Sequence, residues 1–247
     1  MSLTEEITAL VSETRSLIDV FNEKSDTIDA SLARLEAAET MASKWVYVDS
    51  VNGNDEGTGT ITDPYLTIEK ALAATADNIS VLINLLNDTV MMDRSVNVGA
   101  RVLRFQGRDS SNNVVSRSLS FASEAVTSPR WSGHRQCAGI EMAGPAFIQF
   151  TSIDLVIPNC GEEITFPYCL YGAQSLDVIL RSCSISIADA ASVADLFSVY
   201  YPASAGLWFS TVTVDSGVEG HFLNGVSAGA DPNTHESNRF RSNLTSL

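Results

Sequence analysis

Basic residues are scarce in this chain: 15 lysines and arginines in 247 residues, against 30 aspartates and glutamates, for a formal net charge of −15. Binding nucleic acid or an anionic membrane needs clustered cations that displace counterions, so the shortage speaks against a nucleic-acid partner. The imbalance is spread out, with residues 1–44 carrying −5 and residues 45–247 carrying −10. Long apolar runs are missing as well. The longest fall far short of the ~20 residues that cross a bilayer as a helix, and no membrane insertion is expected. The N-terminus lacks the basic start and apolar stretch of a secretory signal. The four cysteines, Cys137, Cys160, Cys169 and Cys183, include no Cys-x-x-Cys pair, which argues against a zinc site. Buried free thiols of a protein made in a reducing cytoplasm are the simpler reading, a disulfide the alternative. There is no Gly-rich phosphate loop, no His-Glu-x-x-His and no dinucleotide fingerprint. No cofactor and no metal are expected.

Proline and glycine are absent from residues 3–39, which are rich in good helix formers and read as one helix. With Ile7 at heptad position a, Leu3, Leu10 and Leu17 fall at d, and Thr14, Phe21, Ile28 and Leu35 at a. Val11, Ile18 and Leu32 widen the stripe at e, while Lys24 and Ser31 weaken it at d. Two arrangements bury such a stripe: packing on the chain's own body, or a parallel coiled coil, in which the wide a/d/e face favours three strands over two. The trimerisation residues would then be Leu3, Ile7, Leu10, Leu17, Phe21, Ile28 and Leu35. This predicts an N-terminal helical domain over 1–44, with 40–44 as the joint.

From residue 79 onward the pattern changes to short β-runs broken by small polar turns, at 79–86, 96–105, 146–157, 176–187 and 207–214. The last three contain an internal repeat. Residues 150–155 (Phe-Thr-Ser-Ile-Asp-Leu), 180–185 (Leu-Arg-Ser-Cys-Ser-Ile) and 209–214 (Phe-Ser-Thr-Val-Thr-Val) superpose at spacings of 30 and 29. A repeat unit of this kind cannot bury its inner face alone; stacked neighbours complete the core. Stacking would align Ser152, Ser182 and Thr211 as an internal hydroxyl ladder. The polar tail, 229–247, either caps the last open edge or packs on a neighbouring subunit. Its Asn243-Leu-Thr triplet is read as chance.

Between these regions lies the most distinctive stretch, residues 45–71: a short alternating strand (Val46, Val48), a loop with Gly53, Gly57 and Gly59, then Pro-Tyr-Leu-Thr-Ile-Glu-Lys-Ala. Its order, Tyr-Val-Asp, Gly-Asn-Asp, Gly-Thr, then Pro-Tyr-x-Thr-Ile-x-x-Ala, resembles the first segment of right-handed parallel β-helix proteins, the pectate-lyase-like group common in phage tail spikes and tail fibres. The phrase Leu17-Ile18-Asp19-Val20-Phe21-Asn22-Glu23-Lys24 is similar to N-terminal helical segments of phage tail fibres. The resemblance implies a mainly β protein: a short right-handed parallel β-helix body over 45–228 with a lead-in segment at 45–75, preceded by a trimeric coiled coil and followed by a cap at 229–247. It implies a virion tail protein, made in the bacterial host cytoplasm. The N-terminal region would join other virion tail proteins, and the homotrimer would bind a host surface polysaccharide.

Several groups are candidates for chemistry. The loop 130–137, Arg-Trp-Ser-Gly-His-Arg-Gln-Cys, joins Trp131 and His134 to two arginines. Trp131 is suited to stack on a sugar while Arg130 and Arg135 hold an anionic group; the plainer reading makes Trp131 a packing anchor and pairs the arginines with local acids. Trp208, Tyr200 and Tyr201 are further aromatic candidates, and Trp208 lies in a predicted strand as either core or surface platform. Glycan-cleaving sites use paired carboxylates. Asp154, Asp177, Glu162, Glu163, Asp189 and Asp195 are the acids available, and they form no column in the repeat, so solvated surface carboxylates explain them and no catalytic residue is assigned. Asp49, Asn52, Asn54 and Asp55 form an oxygen-rich loop that departs from the EF-hand pattern and fits turn chemistry. Three functions follow: a structural, receptor-binding tail fibre or spike; a glycan depolymerase, hydrolase or lyase; or a structural adaptor binding another virion protein.

Overall fold

The computed structural model describes residues 4, 7, 13–22, 24, 43–76, 78–97, 102–125, 134–200, 203–234 and 240–244. The chain divides into two compact units, Met1–Ala42 and Ser43–Leu247. In the first, residues 13–22 are helical. Ile7, Leu17, Ile18, Val20 and Phe21 are all exposed there, Leu17 at 75% and Phe21 at 72%. Leu3, Leu10, Ile28 and Leu35 lie outside the described residues.

In the second unit, alternation sets each strand's inner face. The strands are β1 (Lys44–Val48), β2 (Ser80–Leu85), β3 (Thr89–Met91), β4 (Arg94–Asn97), β5 (Val102–Gly107), β6 (Arg117–Phe121), β7 (Gly139–Met142), β8 (Ala146–Thr151), β9 (Ile153–Ile157), β10 (Tyr168–Gly172), β11 (Leu176–Arg181), β12 (Ser184–Ile187), β13 (Asp195–Val199), β14 (Ala205–Ser210), β15 (Thr213–Val214) and β16 (Phe240–Ser242). They form three parallel sheets: β1-β2-β5-β8-β11-β14-β16, β3-β6-β9-β12-β15 and β4-β7-β10-β13. From β2 to β15 the chain visits the first, second and third sheet in rotation. The protein is therefore mainly β and parallel.

Register turns this rotation into columns. On the inner side of the first sheet Val46, Ile83, Phe105, Phe150, Leu180 and Phe209 stand opposite one another. Phe105 and Phe150 stack with ring centroids 5.1 Å apart and planes 12° apart. In the second sheet Leu119, Leu155, Ile185 and Val214 align in the same way. The pairs Leu180 with Phe150 and Phe209, and Ile185 with Leu155 and Val214, carry the register of the sequence repeat.

Two features of the runs differ from the sequence reading. Each of the three repeat runs is two strands, because Ser152, Ser182 and Thr211 take left-handed backbone, with φ of 53°, 50° and 55°. That single residue turns the chain from the first sheet to the second. These residues line an outer corner: Ser152 is half-buried, and Ser182 and Thr211 are exposed. The expected ladder of internal hydroxyls is thus corrected to an external, backbone-driven turn. The third sheet was not visible as alternation, because β7 and β13 are buried along their whole length.

The lead-in segment closes the start of this unit. α1 (Ile68–Ala74) begins at Thr67, whose side chain accepts from the Lys70 N–H at 3.1 Å, a standard N-cap. It buries Ile68, Ala71 and Leu72 and packs against β1, β3 and β4, the last two being edge strands of their sheets. At the far end β16 adds to β14, and the Asn243 amide bonds both the N–H and the carbonyl of Phe209, each at 2.8 Å.

Candidate functional site

The oxygen-rich loop is built by its own donors. Asp49 Oδ1 accepts from the N–H groups of Val51 and Asn52, both at 2.9 Å, and from Asn87 Nδ2 at 2.6 Å. Burial pushes its carboxyl up, but these bonds outweigh burial and hold it below the ordinary range. Asp55 accepts from the N–H groups of Leu66 and Thr67 and from the Thr67 hydroxyl, each at 2.9 Å. Asp63 Oδ2 accepts from the N–H and hydroxyl of Thr58. Gly59, at φ +74°, lies under the Tyr65 ring; an added Cβ would stand 2.4 Å from it. The side chains of this motif serve the fold, as Asx-type turn chemistry does.

In the 130–137 loop, Arg130 and Trp131 lie outside the described residues. His134 meets Phe166 edge-on at 5.7 Å. Arg135 makes a two-pronged contact with Glu124, Nε to Oε1 at 2.9 Å and Nη2 to Oε2 at 2.6 Å, with Glu163 at 4.0 Å from Nη1. This pair holds the Glu124 carboxyl below its ordinary range. Arg135 is thus paired with local acids, the plainer of the two readings, and an incoming anion would compete with Glu124.

The candidate acids are spread over the molecule. Asp154 is on β9, Asp177 on β11 and Asp195 on β13, in three different sheets. Asp154 accepts the hydroxyls of Ser116 and Ser184 at 2.8 and 2.7 Å. Asp189 accepts from the Ala191 N–H at 2.9 Å and from Asn159. Asp195 is buried, which pushes its carboxyl up against the opposing pull of Asn224 Nδ2 at 2.8 Å and of His221, whose Nδ1 is 3.7 Å away.

On the third sheet lies a buried polar cluster that the sequence did not announce. Arg94 is buried and stands 3.8 Å from the buried Glu141. Its Nη1 donates to the carbonyls of Tyr168 at 2.9 Å and Cys137 at 3.5 Å. Its guanidinium lies 5.2 Å from the Tyr168 ring centroid and 5.8 Å from that of Tyr171, within cation–π range. Burial pushes the Tyr168 hydroxyl up. All four cysteines are buried free thiols; a hydrogen bond with Cys137 and burial both push the Cys160 thiol up, the opposite of a reactive cysteine. The register that assembles this cluster joins residues from Arg94 to Tyr171, a separation no local motif encodes.

The remaining candidates face outward on and beside the first sheet. Trp208, on β14, is 39% exposed and sits on the solvent side as a surface platform. Its outward column runs through Ile179, Gln149, Arg104 and Leu82 to Trp45 on β1, which is 62% exposed. Tyr200, 59% exposed, lines a shallow pocket of about 240 Å³ with Ala173, Gln174, Ser175 and Ala203. The hydroxyls of Ser175 and Ser204 lie 3.1 Å apart beside it. Tyr201 lies outside the described residues. The structure thus places Trp208 on the outward face of the first sheet and Tyr200 beside a pocket, and leaves His134 and Arg135 apart from both, next to Phe166 and Glu124. Among the described residues no group of three or more His, Cys, Asp or Glu side chains is arranged to hold a metal. Compared with protein-family models, with curated proteins and with solved structures, the chain matches none.

Proposed function

We propose that this chain is a phage tail fibre or tail-spike protein, structural and receptor-binding. Its body is a short right-handed parallel β-helix, and its N-terminal helix is one strand of a three-stranded coiled coil. The bundle aligns the chains and joins the virion; the body contacts a cell-surface glycan. The observation that carries this reading is the rotation of one chain through three parallel sheets in the register of its own repeat, on a unit that opens with the 45–71 motif. The wide apolar stripe, with Leu17 and Phe21 largely exposed in a single chain, supports self-association. Three chains multiply a weak single-site affinity.

Light scattering on the full chain tests the assembly. One chain is 26.5 kDa, and the expected mass is three times that. Replacing Leu17 and Phe21 together with Asp is expected to collapse the trimer to monomers. A wild-type monomer, or a variant of unchanged mass, would remove the coiled coil and with it the fibre reading.

A further inference from the structure

The three sheets present very different outer surfaces. The third is largely buried. In the second, Ser118, Asp154, Ser184 and Thr213 form one outward column of three hydroxyls and one carboxylate. Among the described residues, only the first sheet has exposed cations at outward strand positions. Arg104, Arg181 and Arg241 occupy outward positions, with Asp177 the only acid there among the described residues. This face therefore carries +2 on a chain whose net charge is −15. The three arginines are exposed and none has an ion pair among the described residues, although acids outnumber bases two to one in the chain. Aromatics flank them. Trp45 and Trp208 stand five strand spacings apart, roughly 24 Å, in the same column as Arg104, with half-buried Leu82 and Ile179 between.

We propose that the outward face of the seven-stranded sheet binds an acidic polysaccharide. The arginines hold its carboxylate, sulfate or phosphate groups, and Trp45 and Trp208 stack on sugar rings. This rests on the glycan-receptor reading above and adds where the polymer lies and what charge it carries. Exposed guanidiniums without partners keep their forked donors available for a planar anionic group. Tryptophan supplies an apolar face with a polar edge, suited to a ring that is itself two-faced. The strong negative charge elsewhere repels a polyanion and guides it to this one face. The sheet is long enough to engage several repeats of an extended chain, so each contact can be weak.

The test uses the full chain and defined polymers: polygalacturonate, hyaluronate and heparin as acidic probes, dextran and mannan as neutral ones, with affinity read by calorimetry at low and high salt. An acidic probe is expected to bind and the neutral ones not, with binding weakened by salt as the screening length shortens. The double variant Arg104→Glu with Arg181→Glu is expected to lose about tenfold or more in affinity. Trp208→Ala is expected to lose less and to leave the salt dependence unchanged, and neither variant should alter the circular dichroism. Equal binding of neutral polymer, untouched by the arginine reversals, would overturn this inference and leave the glycan reading standing. Binding of no polymer of either class would overturn both. Tighter binding of single-stranded DNA than of every acidic glycan would overturn it as well. A changed solution mass in the arginine variant with unchanged polymer binding would make this face a contact between copies and overturn it too.

Discussion

At the start of the body the backbone is held by carboxylates. Asp49, Asp55 and Asp63 accept N–H or hydroxyl groups across the loop that closes over β1. Through the middle, in β8, β9, β11 and β12, that device is gone: Asp154 takes only two serine hydroxyls, and the register is held by the apolar columns through Phe150 and Leu180 and through Leu155 and Ile185. The difference follows from position. Each of these middle strands has a paired neighbour on both sides. β1 is paired with another strand on one side only, so its open edge is sealed by a loop and α1. The seal needs specific donors and acceptors at fixed places, whereas the stack needs only apolar residues at the right phase.

That contrast explains what was legible. The lead-in motif was readable because turn chemistry demands particular residues at particular spacings: Gly59 under Tyr65, Asp55 reaching Thr67. The repeat was readable because Phe150, Leu180 and Phe209 keep phase at a nearly constant interval. The corners escaped notice because Ser152, Ser182 and Thr211 adopt a left-handed backbone that usually advertises itself as Gly or Asn. The third sheet escaped because a strand buried on both faces has no alternation. Arg104, Arg181 and Arg241 look unrelated along the chain, and only strand register brings them to one face. Conversely Arg130 and Arg135, neighbours in sequence, drew attention as a cluster, and Arg135 is spent on Glu124.

The largest way to break the comparison is in the stack. Phe150→Ala removes a fully buried ring from the middle of the column and its stacking partner from Phe105. The expected loss is about 3–5 kcal/mol in chemical denaturation, the range for large-to-small core changes at aromatic sites. A loss comparable to that of an exposed residue would mean the columns do not hold the register.

A smaller effect is expected at the seal, and it depends on pH. Asp49→Ala leaves the donors of Val51, Asn52 and Asn87 without their acceptor, at a cost of about 1–3 kcal/mol near neutral pH. Because hydrogen bonding lowers the folded-state pKa of Asp49, its carboxylate contributes stability above its unfolded value, and that contribution is lost as pH falls through the folded value. The gap between wild type and variant should therefore narrow on acidification below about pH 4. Urea titrations at several pH values read this directly; a gap that stays constant would mean the carboxylate's charge is not what holds the loop. The Phe150→Ala gap has no such acid dependence, which separates the two devices.

The smallest effect has the opposite sign, and it compares one backbone conformation in the two regions. Left-handed backbone is supplied by glycine at the seal, Gly59 at φ +74°, and by Ser182 at φ 50° in the stack. For a residue with a Cβ the left-handed region costs roughly 1–2 kcal/mol, and glycine returns roughly 0.5–1 kcal/mol of that through its greater freedom in the unfolded chain. Ser182 is exposed, and its place at the corner is fixed by its own N–H, which donates to the Ser210 carbonyl at 2.9 Å, a bond glycine keeps. Ser182→Gly should therefore stabilise by about 0.5 kcal/mol, a rise of roughly 1–2 °C in Tm. Gly59→Ala should destabilise, since it adds the same strain and drives a Cβ into Tyr65. Opposite signs at two sites of one conformation would show that the stack tolerates strain at its corners because its columns over-determine them, while the seal does not. A destabilised Ser182→Gly would instead make the serine side chain itself part of what turns the chain between sheets.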